Sequence, residues 1–509
     1  MKFLKLFFTR MIPTLILFAV QIAFFVLPVI AFRDYYAYID VAARIVGLIL
    51  FIVIVNKRET PEFKIPWTFL VLVFPLFGVI AYILFANPGM SKRYARLHKK
   101  TENRARAHVS LTSDEKEKVR SLAGDKAGVF NYLESNSYLP TTAGNRVTYY
   151  ELGEKFWEAL LCELRSAQKF IFMEYFIIDK GEMWDSIHEI LVEKAKAGVE
   201  VRFLYDDVGS LKTFESNYYK KLRREGILCF KFNPLKPALS GIYNNRDHRK
   251  ITVVDGRAGF TGGINLGDEY VNRVVRFGHW KDTAIKIEGR AVANLTALFL
   301  QTYDAVALKA SDYKKYLDLP YEVFDDDGIV NFFGDGPKPY YDEQIGKWNY
   351  INLINSAKKY VYITTPYLIT DATLMSAIAN AAARGLDVLL VTPHIPDKKT
   401  VFNMTRSNYA QLQEKGVKIY EYTPGFIHAK MLVADDDIAF VGTINLDYRS
   451  LVHHYECGAV MYKTPCIKAI KDDVVNTVAL SQEMTPGSLK IGKFARVVRA
   501  IVQVFAPML

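Results

Sequence analysis

Two histidines and two lysines recur in this chain at matched spacing, and their chemistry suits a phosphodiester. His248-Arg249-Lys250 is followed by the apolar run Ile251–Val254, then Asp255, then Phe260-Thr261-Gly262-Gly263-Ile264-Asn265. His428-Ala429-Lys430 is followed by Met431–Val433, then Asp435, then Phe440-Val441-Gly442-Thr443-Ile444-Asn445. Both copies fit H-x-K-x4-D-x6-G-[GST]-x-N in the same register, so we read them as one composite site. Each apolar run reads as a buried strand. Side chains two apart on a strand share a face, which aims imidazole and ammonium the same way. The Gly-containing turn lets backbone approach a ligand closely. Two facing copies would set two His, two Lys and two Asn around one anion. The imidazoles would act as nucleophile and general acid, and Lys250, Lys430, Asn265 and Asn445 would hold the phosphoryl oxygens.

A covalent route through a phosphohistidine splits a hard phosphodiester displacement into two easier steps. One His attacks phosphorus while the other protonates the leaving alcohol and later deprotonates the incoming one. This route needs no metal or cofactor, and the sequence shows no metal-ligand cluster. The copies differ at Gly262-Gly263 against Gly442-Thr443, so the two turns are not equivalent. Asp255 and Asp435, though part of the motif, end their strands before a turn and read as more structural than chemical.

The duplicated motif resembles the phospholipase D superfamily. The stretches Met173-Glu174-Tyr175-Phe176, Asn245-Arg246-Asp247-His248, Gly263-Ile264-Asn265-Leu266-Gly267-Asp268-Glu269-Tyr270, Trp280-Lys281-Asp282, Thr365-Pro366-Tyr367 and Asn445-Leu446-Asp447-Tyr448-Arg449-Ser450 through Glu456 resemble the bacterial cardiolipin synthases within it. The resemblance implies an α/β fold: transmembrane helices, then a duplicated phospholipase D-like α/β/α sandwich whose pseudo-symmetric halves share one active site. It implies transfer of a phosphatidyl group between two phosphatidylglycerols, releasing glycerol. By the same resemblance Asp282 would back His248, Glu456 would back His428, His248 would be the nucleophile and His428 the acid/base. With water as acceptor the protein would instead be a phospholipase D-type hydrolase. Another phosphatidyl transfer and an idle lipid-binding scaffold are further alternatives, and the intact His and Lys pairs argue against the scaffold.

The elements that must position these residues alternate. Lys169–Ile178 reads as a strand, Glu182–Ala197 as a helix stopped by Gly198, Val199–Tyr205 as a strand, Phe214–Glu225 as a helix stopped by Gly226, and Ile227–Phe232 as a strand before the first motif. The order repeats with Lys359–Thr364, Ala372–Arg384, Leu386–Val391, Val401–Lys415 and Val417–Tyr422. Two α/β domains follow, at 146–325 and 326–486. Before them lie a membrane anchor (1–90) and a polar linker (91–145), and after them a basic amphipathic segment (487–509). The first half carries an insertion within 233–246. Leu235, Leu239 and Ile242 there would face acyl chains as a wall or lid of the entrance.

Met11–Phe32 is uncharged and long enough to cross a bilayer. Ile45–Val55 is short, because extending it takes in Arg44, and it is the doubtful span of the three. Pro66–Phe85 carries Pro75 and Gly78, which spans tolerate. The following cluster, Lys92, Arg93, Arg96, Lys99, Lys100, Arg104 and Arg106, argues for a cytoplasmic catalytic region behind a multi-pass anchor in a bacterial plasma membrane. The net charge of +11 suits an acidic partner. With membrane segments present, that partner is anionic phospholipid such as phosphatidylglycerol rather than nucleic acid. Cys162, Cys229, Cys457 and Cys466 lack CxxC spacing, which reads as reduced thiols.

Overall fold

The computed structural model describes residues 33–86, 92–235, 244–326, 328–487, 500 and 502–508. Met11–Phe32, most of the first-half insertion with Leu239 and Ile242, and the basic stretch Lys490–Arg499 lie outside the described residues. The chain divides into two units, one of 1–90, 233–245 and 491–509, the other of 91–232 and 246–490.

In the smaller unit three helices follow one another: α1 (Tyr36–Asn56), α2 (Pro61–Val73) and α3 (Pro75–Phe85). Within α1, Ala37–Asn56 has mean hydropathy 2.4 and is long and apolar enough to cross a membrane. The sequence reading doubted this middle segment for its length, and the helix runs well beyond the apolar run Ile45–Val55. Arg44, which interrupts the apolar run, is paired one turn back with Asp40 at 2.7 Å, so the helix continues through it. The third segment is instead divided at Phe74-Pro75. A Cβ at Gly78 would stand 2.2 Å from the Leu70 carbonyl oxygen, so the glycine is what lets α3 fold back on the end of α2. Phe505 packs on Phe69 at 6.0 Å.

The larger unit begins with helices Lys92–Val109, Ser113–Ala123 and Ala127–Asn136, so the segment read as a polar linker is mostly helical. Its first sheet holds β1 (Arg146–Tyr150), β2 (Phe170–Tyr175), β3 (Glu200–Asp206), β4 (Leu228–Phe232), β5 (Ile251–Val254), β6 (Ala258–Gly262) and β8 (Ala284–Glu288), in the order β1-β8-β6-β5-β2-β3-β4. A short strand, β7 (His279–Lys281), stands outside it. The second sheet holds β9 (Ile329–Asp335), β10 (Tyr360–Thr364), β11 (Asp387–Pro393), β12 (Lys418–Tyr422), β14 (Met431–Ala434), β15 (Ile438–Gly442) and β16 (Glu456–Tyr462). Its central order is β9-β16-β15-β14-β10-β11-β12, and β13 (Gly425–Ile427) stands outside. In each sheet the last three strands are parallel and the rest antiparallel. The two halves therefore repeat one topology strand for strand.

The alternating elements read from sequence appear with two differences. The helix expected over Phe214–Glu225 shortens to Tyr218–Arg224, and Val401–Lys415 becomes two helices, Lys399–Ser407 and Tyr409–Gln413. Helix Val292–Ala307, which the sequence reading did not pick out, is almost wholly buried after the first sheet. Its polar side chains, Asn294, Thr296, Gln301, Thr302 and Asp304, are buried along with the apolar ones, so no solvent-facing stripe marks it.

The motif aspartates explain their own position. Asp255 (φ 55°) and Asp435 (φ 55°) turn the chain in the left-handed region, which Asp tolerates better than most residues. The Asp255 carboxylate accepts the backbone N–H groups of Gln168, Lys169 and Phe170 at 2.7–2.8 Å. Asp435 accepts those of Lys358, Lys359 and Tyr360 at 2.7–3.1 Å. Each aspartate thus ties the start of its half's central strand to the end of the motif strand. Asp255→Ala should cost about 2–4 kcal/mol of stability, since charge-assisted hydrogen bonds contribute roughly 1.5–3 kcal/mol each and their losses overlap. Denaturant unfolding beside turnover per folded molecule checks this, and only the first should fall.

Candidate active site

Each His-x-Lys triplet comes just before its strand rather than within it, because the ladders of β5 and β14 start at Ile251 and Met431. The triplets are instead held by the opposite half. Asp247 bridges Tyr455 in parallel, and the His248 N–H donates to the Tyr455 carbonyl at 2.9 Å. Correspondingly β13 pairs in parallel with β7, and the His428 N–H donates to the Lys281 carbonyl at 2.6 Å. The residue after Tyr455 is Glu456, and the residue after Lys281 is Asp282.

That pairing decides which carboxylate meets which imidazole, and it reverses the expected assignment. Glu456 stands at 2.9 and 3.0 Å from His248 Nδ1. Asp282 stands at 2.6 Å from His428 Nδ1. Each half therefore supplies the carboxylate for the other half's histidine, because the parallel ladders run between halves. Both carboxylates are fully buried. A carboxylate can only accept here, so Nδ1 carries the proton and the neutral ring keeps its lone pair on Nε2.

The unlike turns fit their carboxylates. A Cβ at Gly263 would lie 2.0 Å from Asp282 Oδ1, so only glycine fits beside the shorter acid. In the other half the Thr443 hydroxyl donates to Glu456 and accepts from the Cys457 N–H at 3.0 Å. Asp282 is fixed by the Thr283 N–H at 2.9 Å.

The lysines curl back on their own triplets. Lys250 Nζ donates to the His248 carbonyl at 2.6 Å, and Lys430 Nζ to that of His428. Burial in a shared pocket lowers both ammonium groups, Lys250 to about 8 and Lys430 to about 7. It lowers His428 to about 4, with Lys430 adding to the effect and Asp282 opposing it. His248 is pushed well below its ordinary value by burial and by Lys250, Lys430 and His428. The asparagines differ. Asn265 accepts from the Ile177 N–H and donates to Tyr270 Oη, both at 3.0 Å, so one N–H remains for a phosphoryl oxygen. Asn445 is buried with its Oδ1 unpaired.

Residues that spacing does not single out complete the surroundings. Arg249 points away from the site and is fully buried. It donates to the Glu456 carbonyl and Thr302 at 3.0 Å and to Tyr341 Oη at 2.8 Å. Trp280 and Phe426 stand 5.3 and 5.9 Å from the His428 ring. Phe176 and His454 stand 5.1 and 5.4 Å from the His248 ring. Among the described residues, the one group of three side chains able to share a cation is His248, His454 and Glu456, with ligand atoms within 4.8 Å. The His248–Glu456 pair in it is already hydrogen-bonded.

A family model described as "Cardiolipin synthase, PLD-like domain" matches residues 160–299 and 350–476, and one described as "Phospholipase_D-nuclease N-terminal" matches 45–87. The chain belongs to the cardiolipin synthase family of phospholipase D-like proteins. A cardiolipin synthase of Alkalihalophilus pseudofirmus is 32% identical over 91% of this chain and 92% of its own. One of Halalkalibacterium halodurans is 34% identical over 86% of each chain. Cardiolipin synthase 2 of Bacillus cereus is 33% identical over 92% and 90%. Among solved structures, a phosphatidylserine synthase of Haemophilus influenzae shares the fold at TM-score 0.57 and 16% identity, over 76% of this chain and 98% of that one.

Two tests follow from the geometry. Glu456→Gln should move the ring 15N resonances of His248 and leave those of His428, and Asp282→Asn should do the reverse, as read by histidine-selective NMR. The lysines predict an alkaline limb. Their ammonium groups are lost as pH rises through about 7 to 8, so kcat/KM for an anionic lipid should fall above that window. Their contribution to stability has the opposite sign. The unfolded lysines stay protonated up to their ordinary 10.5, so this contribution grows with pH between the two values. Rate and melting temperature measured over pH 6–10 check both.

Proposed function

We propose that the two histidines carry a phosphatidyl group from one phosphatidylglycerol to another, giving cardiolipin and glycerol. The observation behind this is the pair of crossed His–carboxylate contacts, which leave two Nε2 atoms available within one buried, lysine-lined site. His248 Nε2 attacks phosphorus, and the bond from phosphorus to the glycerol oxygen breaks. The charge of the bound phosphodiester supports a second proton on His428 Nε2, which burial disfavours in the empty site; that proton passes to the oxygen, and glycerol leaves. His428 then takes the proton of the second lipid's glycerol hydroxyl, whose oxygen attacks phosphorus as the nitrogen–phosphorus bond breaks. Lys250, Lys430, the remaining Asn265 N–H and the Asn445 amide hold the phosphoryl oxygens as charge redistributes.

The surroundings of the two rings support these roles. The His428 imidazolium is supported by Asp282 at 2.6 Å, which suits a proton carrier. The Glu456 charge is shared between His248 and Thr443, so the His248 ring stays neutral and nucleophilic. Membership of the cardiolipin synthase family and the apolar helix α1 support membrane association. The exposed cations of helix Lys92–Val109 support a multi-pass anchor with the catalytic unit on the cytoplasmic side.

Purified protein in phosphatidylglycerol liposomes with chelator should yield cardiolipin and glycerol, resolved by mass spectrometry. His248→Ala and His428→Ala should each lose at least about 1,000-fold, since residues acting as one unit are individually indispensable. A phosphatidyl adduct should be trapped on His248 in His428→Ala. Phosphatidic acid as sole product would instead make the protein a hydrolase.

A further inference from the structure

Residues 272–278 lead into β7, and the middle of this stretch is apolar and exposed. Val275 is 75% exposed and its neighbour Val274 51%. Among the described residues of the larger unit, no large apolar side chain is more exposed than Val275. Single exposed apolar side chains are ordinary, but this adjacent pair is held out on a closed frame. Asn272, in the left-handed region at φ 53°, donates to the Trp280 carbonyl at 3.0 Å and accepts the Trp280 N–H at 2.7 Å. The Arg273 N–H donates to the Asp268 carbonyl at 3.0 Å. The loop is therefore pinned at its base, with Val274 and Val275 at its tip.

The loop belongs to the end of the first sheet that carries the site, where β6 runs out towards Asn265 and β8 begins just after Asp282. Phe277 packs on Trp280 at 6.4 Å and on Phe426 at 6.2 Å, the two rings that flank His428. In an in-line displacement the headgroup leaves and arrives across phosphorus from His248, which is this side. The substrate proposed above is a lipid, so its approach to this side is from a bilayer. Exposed arginines flank the apolar pair. Arg273 stands 3.3 Å from Glu182, and Arg276 stands 2.9 Å from Glu269. Exposed ion pairs of this kind contribute little, so lipid phosphates can take the place of the carboxylates at small cost. Cations beside an apolar tip are the arrangement of a segment that lies in a membrane interface. Two valines fall far short of the roughly 800 Å² per partner that a stable protein interface buries, whereas a chain already held at a membrane needs no such area.

We propose that residues 273–276 form an interfacial tip on an anionic phospholipid bilayer. Val274 and Val275 enter below the headgroups, Arg273 and Arg276 meet the phosphates, and the His428 side of the site is set against the lipid surface. This rests on the phospholipid reading above. Its consequence is that an acceptor lipid reaches His428 without leaving the bilayer.

Two measurements test the tip. Val274→Asp combined with Val275→Asp should lower cardiolipin formation in phosphatidylglycerol vesicles at least about tenfold, since burying one valine is worth that factor. The loss should be far smaller on a short-chain phosphatidylglycerol dissolved as monomers. An equal loss on both substrates would make the tip a prop for Trp280 and overturn the proposal. The second measurement reads the surroundings directly. Cys162→Ser leaves only buried thiols, so a nitroxide can be placed on Val275→Cys or on Val323→Cys. Val323 is 65% exposed at the opposite end of the sheet, next to Phe324, whose ring meets Arg146 of the Arg146–Glu288 pair. In vesicles of phosphatidylglycerol and phosphatidylcholine, the Val275 label should favour collisions with dissolved oxygen over those with a water-soluble nickel chelate, several-fold more than the Val323 label does. Equal ratios would leave the tip in water. A Val275 label shielded from both reagents would put a second copy of the chain over it. Either result overturns the proposal. A parent protein that makes no cardiolipin would fail the reading beneath, and the accessibility ratio, which needs no turnover, keeps the two failures distinct.

Discussion

Exchange of carboxylates between the halves is the constraint on which the rest of the structure depends. A histidine that must attack phosphorus has to be neutral, in one tautomer and held in one orientation, and a buried acceptor on Nδ1 achieves all three. Here that acceptor comes from the opposite half, carried on the residue after a parallel ladder. Neither half alone contains His248 with Glu456 or His428 with Asp282. The strand-for-strand repetition of the sheets, the burial of Arg249 across the junction and the ladders Asp247–Tyr455 and Gly425–Ile427 with His279–Lys281 all maintain that exchange.

Burial gives the exchange its strength and its cost. With Asp282, Glu456 and both lysines removed from water, each charge acts at low effective dielectric. The same burial disfavours the ammonium and imidazolium forms, so in the empty site the lysines sit near their titration points and His428 is neutral. An arriving phosphodiester supplies the negative charge that restores them. Substrate binding and protonation are therefore linked, and the site is less stable empty than filled.

The sequence carried the strand–helix repeat and the paired motif because both are local patterns. Period and Gly stops mark the elements, and two copies in one register mark the site. The aspartates Asp255 and Asp435 were legible as turn residues for the same reason. What was not legible depended on partners far along the chain. Nothing in Trp280-Lys281-Asp282 says that its strand lies beside Phe426-Ile427, so the carboxylates were assigned within halves instead of across them. Arg44 read as a break because its pairing with Asp40 shows only on a helix. Helix Val292–Ala307 buries its polar side chains with its apolar ones, so no solvent-facing stripe set it apart. His454 sat unremarked inside a family stretch, since only burial without a partner sets it apart.

Duplication supplied two equal histidines, and the reaction needs two different ones. The difference was made in the surroundings. A short acid against glycine gives His428 one close carboxylate in an aromatic cage, whereas a longer acid beside threonine gives His248 a carboxylate whose charge is divided. Thr443 stands where the first half has Gly263, and its hydroxyl donates to Glu456, whose side chain is one methylene longer than that of Asp282. Each difference in the turn is thus matched by a difference in the acid, and the pair of differences gives the two histidines unlike surroundings while both motifs keep the same histidine and lysine.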